Sequence, residues 1–206
     1  DTKRLDEIMN MVGELVLVRN RLKRLGDDST DEALQKAVSN LDVVTRDLQS
    51  AVMKTRMQPI KKVFGRFPRV VRDLARNLKK EVNLVLQGEE TDLDKNLVEA
   101  LSDPLVHLVR NAVDHGIEMP DARVEKGKER IGQVVLSAQQ EGDHIMLSIE
   151  DDGAGFVVGQ MPDDGREHFG MSIMQARAER IGGQLKIESK LGHGTQIRVS
   201  WPRSSI

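Results

Sequence analysis

Residues Leu34, Val38, Leu41, Thr45, Leu48 and Val52 follow one another at intervals of four, three, four, three and four. A repeat averaging 3.5 residues is a helix with one continuous apolar seam, and a seam that long demands a partner. Leu5, Ile8, Val12, Leu15 and Leu22 upstream carry the same spacing. Between the two runs, Gly26-Asp27-Asp28 breaks the first helix, and Ser29-x-x-Glu32 reads as a capping box opening the second. A turn this short makes the pair an antiparallel hairpin. Two helices cannot cover such a stripe on both sides, so residues 1–58 are expected to form a dimerisation domain, completed by a second copy as a four-helix bundle across a two-fold axis. Packing of the hairpin onto the neighbouring domain is the competing reading.

After Pro59 the pattern changes. Val63 to Leu78 reads as a helix and Val82 to Gln87 as a short strand. Thr91-x-x-Asp94 is expected to open another helix, kinked or restarted at Asp103-Pro104, since proline is accommodated in a first turn. The polar stretch 117–130 reads as a loop. Strands are expected over 133–139 and 144–151, a helix over 171–181, and a last hairpin from 184–188 and 195–201. Helices interspersed with mostly antiparallel hairpins give an α+β chain, with a two-layer α/β sandwich over 59–206. The chain starts inside a helical pattern, at Asp1-Thr2-Lys3-Arg4-Leu5, so it is expected to be part of something longer.

Composition removes several functions. The net charge is −2 and only 2% of residues are aromatic, with no tyrosine, so neither a basic nucleic-acid face nor a stacking platform is expected. There is no cysteine, hence no disulfide and no thiolate nucleophile, which suits a cytoplasmic location. No apolar run approaches the ~20 residues of a transmembrane helix, and no signal-peptide pattern is present.

Chemistry concentrates in two stretches. In His107-Leu-Val-Arg-Asn-Ala-Val-Asp-His-Gly116, helical spacing puts Leu105, Leu108, Val109 and Ala112 on an apolar side and His107, Asn111 and Asp114 together on the other. An imidazole, an amide oxygen and a carboxylate on one wall suit a magnesium-nucleotide pocket, in which hard oxygen ligands share the metal with phosphates; a solvated polar face suits this stretch alone equally well. Some 40 residues on, the alternating run from His144 ends in Asp151-Asp152-Gly153-Ala154-Gly155. Alternation with Ile145, Leu147 and Ile149 turns Asp151 inward, and the glycines permit close backbone approach. Asp152 is expected to be a solvent-facing turn residue.

These stretches together resemble the N box and first glycine box of the GHKL ATP-binding fold. The wording "DPLVHLVRNAVDHGIE" and the "KTRMQPI" after the hairpin are similar to the CheA family of chemotaxis histidine kinases, over roughly the first three quarters of the chain. The resemblance implies ATP and Mg²⁺ as cofactors. It implies Asn111 as the Mg²⁺ ligand, His107 as the residue orienting or polarising the incoming phospho-acceptor, and Asp114 and His115 as pocket neighbours. Asp151 would accept from the exocyclic amine of adenine, with Gly153 and Gly155 beside it. Gly192-His193-Gly194-Thr195 looks like a further glycine box, which adds Gly194 and Thr195 to the nucleotide-binding residues, the Thr195 hydroxyl supporting the carboxylate; a plain hairpin turn would read the same way.

The stretch 156–170 departs from the CheA pattern, which carries a longer lid there. From Gly165 onward, "GREHFGMSIMQARAERIGG" instead resembles the nitrate-sensor class of histidine kinases. Gly170, ahead of a helix, could still offer amides to a phosphate, and Arg166 and His168 could add contacts. The leading expectation is a protein-histidine kinase core that transfers the ATP γ-phosphoryl to a separate acceptor histidine domain. It would act as a homodimer, with a response regulator and a receptor or coupling protein as partners, and with neither nucleic acid nor membrane insertion. No His precedes His107, so the dimerisation hairpin carries no acceptor. The alternative is a nucleotide-binding or interaction module whose short lid precludes transfer. A hydrolase of the gyrase or Hsp90 kind would need a general base, usually a Glu, where His107 stands.

Overall fold

The computed structural model describes residues 2–27, 31–157, 175, 178, 179 and 182–202. They fall into two compact units, Asp1–Met57 and Gln58–Ile206. No described helix is long and apolar enough to cross a membrane.

The first unit is the hairpin of α1 (Thr2–Asp27) and α2 (Glu32–Arg56). Gly26 lets the second helix close in, because a Cβ there would lie 3.2 Å from Val38 Cγ2. The cap of α2 is Asp31 rather than the expected Ser29 box: Asp31 Oδ1 accepts from the amides of Ala33 at 2.9 Å and Leu34 at 3.3 Å. Ser29 lies outside the described residues. Val12, Val38 and Thr45 of the predicted seam are buried, and Arg19 bridges the helices to Asp42 at 2.8 Å. Burial works to raise the Asp42 carboxyl, but Arg46, Lys23 and Arg19 together hold it below the ordinary carboxylate value. Ile8, Leu22, Leu34 and Leu48, also on the seam, stay exposed.

In the second unit a five-stranded sheet runs in the order β2 (Val82–Gln87), β4 (Gly132–Glu141), β5 (His144–Asp151), β7 (Gly194–Pro202), β6 (Gln184–Lys190). The β2–β4 pair is parallel and the other pairs are antiparallel. A two-stranded ribbon of β1 (Met57–Pro59) and β3 (Asp92–Asp94) was not legible in the sequence. The helical layer includes α3 (Lys61–Phe64), α4 (Phe67–Leu78), α5 (Lys95–Asn111), a π-helical turn (Ala112–Gly116) and α6 (Pro120–Glu125). Its apolar residues, Phe67, Val71, Leu97, Leu105 and Val109 among them, share one core with Val134, Leu136, Ile145, Leu147, Ile149 and Trp201 of the sheet. This is the expected two-layer α/β sandwich following a helical hairpin.

Local corrections have local causes. The helix expected over 63–78 is two, because Gly65-Arg66 intervenes and Pro68 sits in the first turn of the second. α5 opens at Asp94, whose carboxylate accepts from Asn96 N at 2.7 Å, while Thr91 Oγ1 instead donates to Ala138 O at 3.1 Å. Pro104 neither ends nor restarts α5, which runs from Lys95 to Asn111 with the proline inside it; the carbonyl that its missing N–H would have served is that of Ala100. The expected loop 117–130 contains α6. Of the helix expected over 171–181, only Gln175, Ala178 and Glu179 are described, all helical.

Candidate functional site

Helix α5 buries Leu105, Leu108 and Val109 in the core. This turns His107 and Arg110 to solvent and leaves Asn111 half-buried at the helix end. There the backbone widens into the π turn, a form that recurs at functional sites, closing with Ile117 N to Ala112 O at 2.8 Å. Asp114 is half-buried and His115 exposed, with Asp114 Oδ2 3.8 Å from His115 Nε2.

The turn is held by a residue the sequence did not reveal. Lys80 Nζ donates to the carbonyl of Val113 at 3.0 Å and to that of Asp114. Burial pulls its ammonium below the usual lysine value, an effect that Asp114 and Glu118 partly offset. Lys80→Met keeps the apolar stem but removes the donor from both carbonyls. A lost partner for a buried polar group costs ~1–3 kcal/mol, so a loss of about 2 kcal/mol is expected in urea denaturation, with weaker nucleotide binding through the displaced turn.

Strand β5 ends at Asp151, which is 6% exposed. Its Oδ1 accepts from Gly153 N at 3.0 Å, and the backbone amide of Thr195 also serves the carboxylate. Burial raises the Asp151 carboxyl to about 6; Asp152 adds to the rise, while the two amides and Lys128 oppose it. A carboxylate offers about four acceptor sites, so these two amides leave capacity for a ligand donor. Asp152 is only in part the solvent-facing residue expected. Its side chain is 44% exposed, yet Oδ2 accepts from Arg123 Nη2 and Oδ1 from Gln133 N, both at 2.8 Å.

The N box and the first glycine box meet here. Ala154 N donates to Gly116 O at 2.8 Å, and a Cβ on Gly153 would lie 2.0 Å from that same oxygen. Gly194, at φ 97°, tolerates no Cβ either, since one would sit 1.8 Å from Asp151 O. Gly155 lies against the carbonyl of Lys190. The close approaches of these glycines are therefore to protein backbone, and they fix where Asp151 stands. Thr195 is half-buried, its Oγ1 lies 3.0 Å from Ser189 Oγ, and it is its backbone amide that serves the Asp151 carboxylate. Ser189, also unforeseen, accepts from Phe156 N at 2.9 Å and donates to Gly194 O at 3.1 Å, joining the segment after the first glycine box to the later one. Asp151, Ser189, His193, Gly194 and Thr195 line an open cleft of about 210 Å³.

Gly170, Arg166 and His168 lie outside the described residues, as does most of the stretch resembling the nitrate-sensor kinases. Among the described residues no three His, Asp or Glu side chains converge on a metal-sized site. A divalent ion at Asn111 would thus share one amide oxygen with ligand phosphates and water, the coordination Mg²⁺ commonly adopts.

Comparison with known proteins identifies the two units. Residues 1–55 match the homodimeric domain of signal-transducing histidine kinases, and residues 100–205, which include Asn111, Asp151 and Thr195, match the histidine kinase-, DNA gyrase B-, and HSP90-like ATPases. The sensor histidine kinase CheAY of Helicobacter pylori is 40% identical over 98% of this chain, and the chemotaxis protein CheA of Treponema pallidum is 51% identical over 82%. The chain spans 31% and 25% of their lengths. The alignment to the former runs over 248 residues against the 206 of this chain, so at least 42 residues of that relative have no counterpart here. The histidine kinase domain of an Erythrobacter litoralis blue-light-activated kinase shares the fold at a TM-score of 0.53 and 16% identity, over 98% of this chain and 95% of that one. Acinetobacter baumannii histidine kinase AdeS does so at 0.52 and 15%, over 98% of each. The chain belongs to the histidine kinase-, DNA gyrase B-, and HSP90-like ATPase family, and its curated relatives there are CheA-type histidine kinases.

Proposed function

We propose that this chain is the ATP-binding core of a protein-histidine kinase, which passes the ATP γ-phosphoryl to a histidine on a separate acceptor domain in chemotaxis-like two-component signalling. The observation that carries the reading is the buried Asp151 carboxylate, held by backbone amides where the two glycine boxes and the N box converge. Asp151 accepts from the adenine amine, and a buried acceptor of this kind favours a donor that reaches it. Gly153, Gly155, Gly194 and Thr195 set its position. Asn111 supplies the protein's oxygen ligand to Mg²⁺, which neutralises phosphate charge when bound. Exposed His107, one turn before Asn111, is placed to orient an acceptor arriving from solvent. Asp114 and His115 border the phosphates, and Gly170 offers them amides.

Catalysis in this scheme is positioning and electrostatic stabilisation. The hairpin makes the kinase a homodimer. A response regulator takes the phosphoryl onward, a receptor or coupling protein supplies the signal, and the ATP requirement places the reaction in the cytoplasm. Incubated with radiolabelled ATP and Mg²⁺, the chain is expected to label a CheA-type acceptor domain added in trans. Without that domain no acid-labile phosphate is expected on His107, His115, His144, His168 or His193.

A second reading, a nucleotide-binding module without transfer activity, is favoured by the 42 or more residues that the Helicobacter pylori relative carries in excess. Nucleotide binding that depends on Asp151, with no labelling of the acceptor, would select it.

A further inference from the structure

The segment between the N box and β4 holds the most deeply buried cation among the described residues of the second unit. Arg123, in α6, is 1% exposed. Its Nε donates to Glu129 O at 2.7 Å, Nη1 to Glu118 Oε2 at 3.2 Å and to Asp152 O at 3.3 Å, and Nη2 to Asp152 Oδ2 at 2.8 Å. Lys128 stands beside it. Its Nζ donates to Glu118 Oε1 at 3.1 Å, to Asp152 O at 2.9 Å and to Gly153 O at 2.6 Å. Burial works to raise the Glu118 carboxyl, but the Lys128 and Lys126 contacts hold it below the usual glutamate value, so it stays an anion between them.

The anchoring falls on two residues. Both carbonyls of Asp152-Gly153 are held by cations, the Asp152 carboxylate by Arg123 and the Gln133 amide, and Asp152 N by Gln133 O at 3.2 Å. Gly153 is also the residue whose amide binds the Asp151 carboxylate. A buried guanidinium is costly unless paired and fully hydrogen-bonded, and this one spends its bonds on the turn that follows Asp151. We propose that Arg123 and Lys128 form a cationic latch that positions Asp151, acting through the carbonyls of Asp152 and Gly153. The latch is a positioning device, and its bearing on nucleotide recognition rests on the adenine reading of Asp151 given above.

Other charged groups stand on the elements around Asp151: Asp152 on its own chain, Asp114 and His115 in the π turn, and Glu188, Lys190 and His193 on the β6–β7 hairpin. None of these cations donates to the backbone of the first glycine box among the contacts of the described residues, so Lys128 and Arg123 can be tested separately. Lys128→Met keeps the stem and removes the charge. Arg123→Lys keeps the charge and removes the fork that spans Glu118 and Asp152.

The test is carried out on the whole chain, checked for fold by circular dichroism. The Asp151 carboxyl is titrated by ¹³C NMR without nucleotide, and a fluorescent ATP analogue is titrated at pH 7.5. In the wild-type chain the carboxyl is expected to titrate at about 6. Lys128→Met should move that midpoint upward and weaken the analogue about tenfold, as loss of a charged hydrogen-bond partner does. Arg123→Lys should change the Asp151 and Gly153 resonances and weaken the analogue similarly. Should Arg123→Lys fail to fold, Lys128→Met, whose side chain is less buried, decides alone. A displaced Asp151 midpoint with unchanged analogue affinity supports the latch and overturns the adenine reading instead. An Asp151 titration and an analogue affinity both within twofold of wild type, in folded Lys128→Met, would overturn the latch.

Discussion

Asp151→Asn is expected to weaken adenine-nucleotide binding by about 1.5–3 kcal/mol, the worth of a hydrogen bond to a charged group, while making the nucleotide-free protein more stable at pH 7.5. Both effects come from the burial of one carboxylate. Asparagine keeps an oxygen for the Gly153 amide but brings no charge to the adenine amine. The stability effect follows from proton linkage. The folded carboxyl titrates at about 6 against an ordinary 3.8, so between these values the native state binds more protons than the unfolded one. Stability therefore falls as pH rises through that window, and the full cost persists above pH 6. A displacement of this size corresponds to ~3 kcal/mol at most. Asparagine escapes that cost but must place an amide NH₂, so a net gain of about 1–2 kcal/mol is expected. The gain should disappear below about pH 4, where both side chains are neutral. Wild-type affinity should decline as pH falls through 6, and the variant's should not. Urea denaturation at pH 7.5 and 4, with analogue titrations from pH 5 to 8, measures all of this. An affinity insensitive both to pH and to the substitution would show that Asp151 does not read the nucleotide.

What could be read from the sequence was what repeats or alternates. The period of 3.5 in residues 34–52 marks α2, and alternation along 145–151 places Asp151 inward, where it is. The N box and glycine boxes were legible because their residue types sit at fixed separations along the chain. Contacts between distant segments leave no such periodic trace. Lys80 reaches Val113, Thr91 reaches Ala138, Arg123 reaches Asp152, and Phe156 reaches Ser189. In each case a polar side chain ordinary on any surface is placed by the fold alone. The segment 117–130 shows this most clearly. Its polar composition suggested a loop, yet Arg123, Lys128 and Glu118 satisfy one another and the backbone beyond, so polarity there serves an ordered interior. Asp31 displaced Ser29 as a cap because either residue type can fill that role, and spacing does not choose between them.

Charging the outer seam of the hairpin is expected to split a dimer. Leu17 is 69% exposed and Val44 62%, and Met11, Val18, Leu25 and Leu48 are exposed as well. Scattered exposed apolar residues are ordinary, but a row of them along both helices of one hairpin marks an interface. Val12 and Val38 already face inward, so a second hairpin would cover the remaining residues without dismantling the first. Full burial of such side chains stabilises by ~1.5–3 kcal/mol each, and a two-fold axis doubles every contact. Replacing Leu17 and Val44 with Asp removes four apolar contributions from the dimer and brings four carboxylates into its core, which are costly to bury unpaired. A loss of at least ~6 kcal/mol follows from the apolar side alone, more than ten-thousandfold in the dissociation constant. Leu41 is half-buried within the hairpin, so a charge there would also damage the monomer; Leu17 and Val44 avoid this. Sedimentation equilibrium at roughly tens of micromolar, a range in which even weak association shows, should find the wild-type chain dimeric and the double variant monomeric, with the same helical circular dichroism. A wild-type chain that is monomeric there, or a double variant that still pairs, would mean that this face meets something other than a second copy of the hairpin.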